Sequence, residues 1–164
     1  MRLMAPGATD GGFYDRVYDV REREAVRDFY RRWAASYDEE LTALDYAQPV
    51  RATEALIRLL PDRDSRILDV GCGTGLSGTA LGAAGYTRID GGDFSPEMLA
   101  RARATGVYTT LHEIDLNGPL GFGDDSYDAV TAVGCFGHGH VDPAALDELV
   151  RVVRPGGALV IAVN

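Results

Sequence analysis

Lysine is absent from this 164-residue chain; all 16 basic residues are arginine, which we read as codon usage rather than chemistry. Cysteine is scarce. The two thiols, Cys72 and Cys135, fall in apolar segments placed at strand ends, so the sequence offers no disulfide framework and no metal site, and free thiols are expected. No stretch approaches the roughly 18 apolar residues of a membrane span. The opening "MRLMAPGATDGG" has no apolar secretory segment, and the expectation is a cytoplasmic protein without a membrane partner. Basic clusters are missing too. With a formal net charge of −9, no electropositive face is available for a phosphate backbone, which excludes nucleic acid as the partner and favours a small molecule.

What is present is a composition of 46% hydrophobic and 25% charged residues, enough to bury one core. Residues 1–19 read as a loosely held tail and 20–164 as a single domain, with amino-terminal helices over 20–61 and a core over 65–164. In the stretch 20–46, Val26, Phe29, Tyr30, Trp33, Tyr37 and Leu41 recur at three- and four-residue spacings, an amphipathic helix or a pair of them. "VRATEALIRLL" resumes the helical period after Pro49. Beyond it, "RILDVG", "RIDGGDFS", "VYTTLHEIDL", "YDAVTAVGCF" and "ALVIAVN" read as strands, with helices after the first, second and fourth. Ser95, Pro96 and Glu97 give the second of these helices a cap, a preset first residue and a first-turn acid. The alternation predicts an α/β fold, a doubly wound and mostly parallel Rossmann-like sheet.

"ILDVGCGTGLSG", residues 67–78, sets glycines where the first strand passes into a helix, and ligands of open α/β sheets bind at the carboxyl ends of strands. Glycine lets the backbone turn tightly and lets a ligand lie against it. The spacing is G-x-G-x-G. The sixth position counted from Gly71 is Leu76, so the third glycine of a dinucleotide fingerprint is missing and a nicotinamide oxidoreductase is disfavoured. Asp93 ends the second strand, where a carboxylate can accept both hydroxyl hydrogens of a ribose.

The run "LDVGCGTG" is similar to the first motif of the class I S-adenosylmethionine-dependent methyltransferases, and "GGDFSPEMLARAR" to their second. "HEIDLNGPLGFGDDSYDAV" resembles their third motif with the lead into strand four, and "ELVRVVRPGGALVIAV" their last helix, turn and fifth strand. These stretches span residues 65–164 in the family's order. "FYRRWAASYDEEL" and "YAQPVRATEAL" further resemble the amino-terminal helices of the Williams–Beuren region methyltransferase-like subgroup. The resemblance implies S-adenosylmethionine as cofactor and S-adenosylhomocysteine as product. By it, Gly71, Cys72, Gly73 and Gly75 line the methionine and ribose, with Asp69 supporting the loop. Asp93 holds the ribose diol, Phe94 and Met98 flank the adenine, and Asp115 and Leu116 meet its edge. Val133 and Gly134 offer carbonyls to the methionine ammonium, and Tyr37 covers the site.

His138 and His140 follow strand four beside the expected methyl and are the candidates for a general base. The family usually continues past strand five with two more strands. Here strand five would stand as an uncharged sheet edge, which leads to the expectation of a homodimer through it. Two classes of function stay open: a methyltransferase acting on a small-molecule acceptor, and a cofactor-binding module without a complete acceptor site.

Overall fold

The computed structural model describes residues 13–16, 19, 22–43, 46–136 and 141–163. The helices are α1 (Phe13–Arg16), α2 (Arg23–Trp33), α3 (Tyr37–Ala43), α4 (Gln48–Leu59), α5 (Leu76–Ala83), α6 (Pro96–Thr105) and α7 (Ala145–Val152). The strands are β1 (Arg66–Val70), β2 (Arg88–Asp93), β3 (Thr110–Glu113), β4 (Tyr127–Val133) and β5 (Val153–Ala162). They form one sheet in the order β3-β2-β1-β4-β5, with every pairing parallel.

Strand alternation divides the core into two layers. Ile67 of β1 joins Ile89 and Ala129 against Leu56 of α4 and Leu81 of α5, whereas Leu68 and Val70 join Val130 against Leu149 and Val152 of α7. Both faces of the sheet are therefore covered, as an all-parallel sheet requires. The strand order reverses between β1 and β4, so their adjacent carboxyl ends open a crevice, the usual ligand position in such sheets.

Ser95 caps α6 as its sequence predicts, accepting from the Met98 amide at 3.2 Å. One alternative left open by the sequence is decided, and two elements differ from the sequence reading. The amino-terminal amphipathic stretch is a pair of helices, α2 and α3, broken by a turn at residues 34–36. Phe13 lies inside the region read as a loose tail, yet its ring stacks at 6.4 Å from Trp33 and meets Phe29 edge-on at 5.5 Å. β5 starts at Val153 rather than Ala158: Tyr127 pairs with Val153, and the register then skips to Ala129 opposite Ala158. The "RPGG" segment is thus an irregularity within the strand. Pro155 has no amide to offer a ladder, and a β-carbon on Gly157 would lie 2.5 Å from the Asp128 carbonyl.

Candidate functional site

After β1 the chain turns through 71–75, with Gly71, Gly73 and Gly75 at φ of 62°, 54° and 100°. Side chains strain in this left-handed region, so all three positions favour glycine. Their surroundings differ. A β-carbon on Gly73 would meet nothing within 4 Å, whereas one on Gly71 would lie 2.8 Å from the Cys135 β-carbon. Gly75 faces Thr105, Ala102 and Tyr108, behind the loop.

In front of the loop is a cavity of about 190 Å³. Gly71 and Gly73 form its floor, and Asp93, Phe94 and Met98 at the β2–α6 junction form one wall. Asp115 and Leu116, just past β3, form the next, and Val133 and Gly134 at the end of β4 close the far side. Tyr37, at the start of α3, and Tyr30 and Val26 of α2 line it from the amino-terminal helices.

Asp93 is 8% exposed. Its carboxylate accepts from the amides of Gly73 and Ser95, both at 2.9 Å. Burial pushes its pKa up to about 6, against the lowering effect of the Ser95, Gly73 and Phe94 amides. A carboxylate has about four lone-pair sites, so acceptor capacity remains toward the cavity. Asp93 therefore braces the glycine loop as well as facing the cavity. Asp115 accepts from the Asn117 amide at 2.9 Å, which fixes its side chain in the turn after β3.

Asp69 lies under the loop with no exposure. It accepts from the hydroxyls of Ser77 at 2.6 Å, Tyr108 at 2.8 Å and Thr131 at 2.9 Å. Burial raises its pKa, and these three hydroxyls oppose the rise.

The amino-terminal helices are joined to the core on two sides. Thr74 in the loop donates to Asp38 of α3 at 2.5 Å, and Arg27 of α2 pairs with Glu113 of β3 at 2.6 Å. Trp33 is buried in an aromatic cluster with Phe29, and Tyr37 packs edge-on against it at 4.6 Å. Burial also pushes the Tyr37 phenol well above its ordinary pKa.

Residues 67–157, more than half of the chain, match the Methyltransferase domain family. The chain belongs to the class I S-adenosylmethionine-dependent methyltransferases. It is 41% identical over 132 residues to methyltransferase-like protein 27 of Homo sapiens, a match covering 79% of this chain and 54% of that protein. It is 31% identical over 150 residues to a demethylmenaquinone methyltransferase of Tropheryma whipplei, covering 90% and 62%. A methyltransferase solved in complex with the Trm112 activator of Haloferax volcanii superposes with a TM-score of 0.67 at 32% identity, covering 82% of this chain and 59% of that one. The chain thus spans 54% to 62% of the length of these relatives.

The cofactor of this methyltransferase family is S-adenosylmethionine. The residues of the cavity suit a nucleoside with an amino-acid tail. Gly73 leaves space where a β-carbon would intrude, Asp93 presents acceptor oxygens, and the Gly134 backbone turns at φ 73° beside them. Two residues expected at the cofactor do not line this cavity. Gly75 ends the loop as the residue before α5, and Cys72 packs with Leu99 and Ala102 behind the loop. His138 and His140 lie outside the described residues.

Sequence reasoning missed Ile114, Asn117, Cys135 and Val141 on the cavity wall, along with Val26 and Tyr30. For the last two a signal existed, since Val26 and Tyr30 stand four residues apart on one helical face. Cys135 had none, because its role depends on how β4 leaves the sheet. Burial pushes its thiol pKa up to about 12, so it presents a neutral group to the cavity.

Proposed function

We propose that the chain binds S-adenosylmethionine in this cavity and transfers its methyl group to a small-molecule acceptor. The convergence of Gly71, Gly73, Asp93, Asp115 and Gly134 on one cavity under an aromatic cover carries the reading. Two observations favour a small acceptor. The net charge of −9 opposes a nucleic-acid substrate. The relative named for demethylmenaquinone points to an apolar small molecule, and Val26, Ile114, Leu116, Val133 and Val141 give the cavity apolar walls.

Bound there, the cofactor supplies an electrophilic methyl on sulfonium sulfur. The chain has to position it and exclude water. Asp93 accepts the ribose hydroxyls, and Asp115 with the Leu116 amide reads the adenine edge. Phe94 and Met98 flank the base, while the carbonyls of Val133 and Gly134 receive the ammonium. Tyr37, Tyr30 and the helices behind them cover the opening. Calorimetry with S-adenosylhomocysteine and with NAD tests the binding half of this reading, and mass spectrometry of acceptor mixtures after incubation tests the transfer. Affinity for NAD rather than S-adenosylhomocysteine would overturn it.

The raised pKa of Asp93 gives this binding a pH dependence. The ribose hydroxyls need the ionised carboxylate, and below pH 6 the ligand-free group is mostly protonated, so affinity falls as pH falls. S-adenosylhomocysteine should bind about tenfold more weakly at pH 5 than at pH 7, following the ionised fraction of a group with pKa near 6. A flat profile over that range would exclude Asp93 as the titrating contact.

His138 and His140 are proposed on the acceptor side of the methyl. Replacing both with alanine is expected to reduce turnover and leave S-adenosylhomocysteine affinity unchanged, and a loss of affinity would place them in the cofactor site instead.

β5 pairs on one side with β4, and Ile161 and Val163 are 37% and 57% exposed. Unpaired, apolar strand edges invite another chain, and we propose self-association here. Light scattering during gel filtration should give twice the 17.6 kDa chain mass. A concentration-independent monomer mass would remove the idea.

A further inference from the structure

Tyr108 lies in the segment between α6 and β3, 37 residues past the glycine loop's first residue, and its ring reaches under that loop. Three glycines make room for it. A β-carbon on Gly78 would stand 2.2 Å from the ring's ζ carbon, one on Gly91 2.8 Å from a δ carbon, and one on Gly75 3.3 Å from an ε carbon. The hydroxyl is placed by this notch between two groups. It donates to Asp69 at 2.8 Å and accepts from the Gly78 amide at 3.1 Å.

Those partners are the two that the loop leaves in need. The residue before α5 is Gly75, which has no side chain, so α5 has no side-chain cap of its own. A helix start leaves its first amides without intrahelical acceptors, and the third position, here Gly78, is one that a cap normally serves. Serine or aspartate at residue 75 would cap, but its β-carbon would crowd the Thr105 methyl at 3.0 Å and strain at φ 100°. Asp69, for its part, is a carboxylate without exposure whose charge depends on the hydroxyls around it.

We infer that Tyr108 is a positioning residue of the cofactor site: its hydroxyl caps α5 from outside the helix and orients Asp69, and so holds the glycine loop in its ligand-receiving shape. The inference rests on the cofactor reading above. Tyr108 touches no part of the cavity and acts through the loop alone. The Asp69 carboxylate, shared with Ser77 of α5 and Thr131 of β4, passes this constraint between the first helix turn and the strand ends that flank the cavity.

Tyr108→Phe tests it, because the ring still fills the glycine notch and only the oxygen is removed. In the ligand-free protein, hydrogen exchange at the Gly78 amide should accelerate about tenfold or more, while amides of β1 and β4 keep their protection. The dissociation constant of S-adenosylhomocysteine should rise about tenfold, the worth of one hydrogen bond to a charged group. KM for S-adenosylmethionine should rise with it, and kcat should stay within about twofold, since nothing at the reacting atoms changes. A role in packing alone predicts wild-type values throughout. Gly78 protected as in the wild type, or unchanged affinity beside a wild type that binds, would overturn the inference. A wild type that takes up no S-adenosylhomocysteine would instead sink the cofactor reading, and the Gly78 exchange rate would then decide the capping assignment by itself.

Discussion

Asp93→Ala is expected to abolish measurable S-adenosylhomocysteine binding while the chain stays folded. Two hydrogen bonds from ribose hydroxyls to a charged acceptor are worth about 1.5–3 kcal/mol each, so their joint loss weakens binding by roughly two to four orders of magnitude. The fold loses less. Alanine leaves the Gly73 and Ser95 amides without their acceptor, but it also removes a carboxylate that burial already disfavours as an ion, with its pKa near 6. These effects oppose each other, and the melting temperature should move by only a few degrees. Calorimetric titration beside a thermal melt separates the two quantities. Unchanged affinity would refute the assignment, and a collapse of the melt would show that bracing the loop is the larger part of what Asp93 does.

Gly71→Ala and Gly73→Ala should fail in opposite ways although the two residues stand two positions apart. Both sit at left-handed φ, where a β-carbon costs about 1–2 kcal/mol. At Gly71 the new methyl also lies 2.8 Å from the Cys135 β-carbon, near backbone that cannot swing aside. Overpacking of that kind adds about 1–3 kcal/mol. For a domain of this size each kcal/mol lowers the melting temperature by about 2–4 °C, which puts Gly71→Ala roughly 4–20 °C below the wild type. At Gly73 the methyl meets nothing within 4 Å and projects where the ligand is expected, so stability should fall by the φ term alone. Its cost appears in binding instead, as a loss of tenfold or more in S-adenosylhomocysteine affinity. Equal melting temperatures for the two variants, or normal ligand affinity in Gly73→Ala, would contradict these roles.

Local chemistry made much of the architecture readable. A branched, apolar run such as "RILDV" reads as a buried strand by its length and the glycines that follow it, and Ser95 with Pro96 and Glu97 reads as the start of a helix. The glycine spacing at 71–75 and the acid at 93 could be read because a turn at left-handed φ and a carboxylate at a strand end are properties of a few adjacent residues. The part played by Phe13 was not readable. Its stretch is rich in glycine and polar residues, and the rings of Phe29 and Trp33, brought there by α2, give it a place. The true start of β5 was hidden for a related reason: proline and two glycines look like a turn, and a neighbouring strand is what draws them into a ladder.

The sequence by itself determined the order of strands and helices from α4 onward, the loop that must be glycine, the family and its cofactor, because each depends on near neighbours or on motifs in a fixed order. The tertiary structure alone decided which glycine faces the cavity and which faces packing, and that Cys135 rather than Cys72 reaches the cavity wall. It also decided that the cap for α5 comes from Tyr108. Each of these depends on what stands opposite a residue across 27 or more positions of chain. Such pairings follow from how the sheet and helices close on one another, which no local pattern encodes.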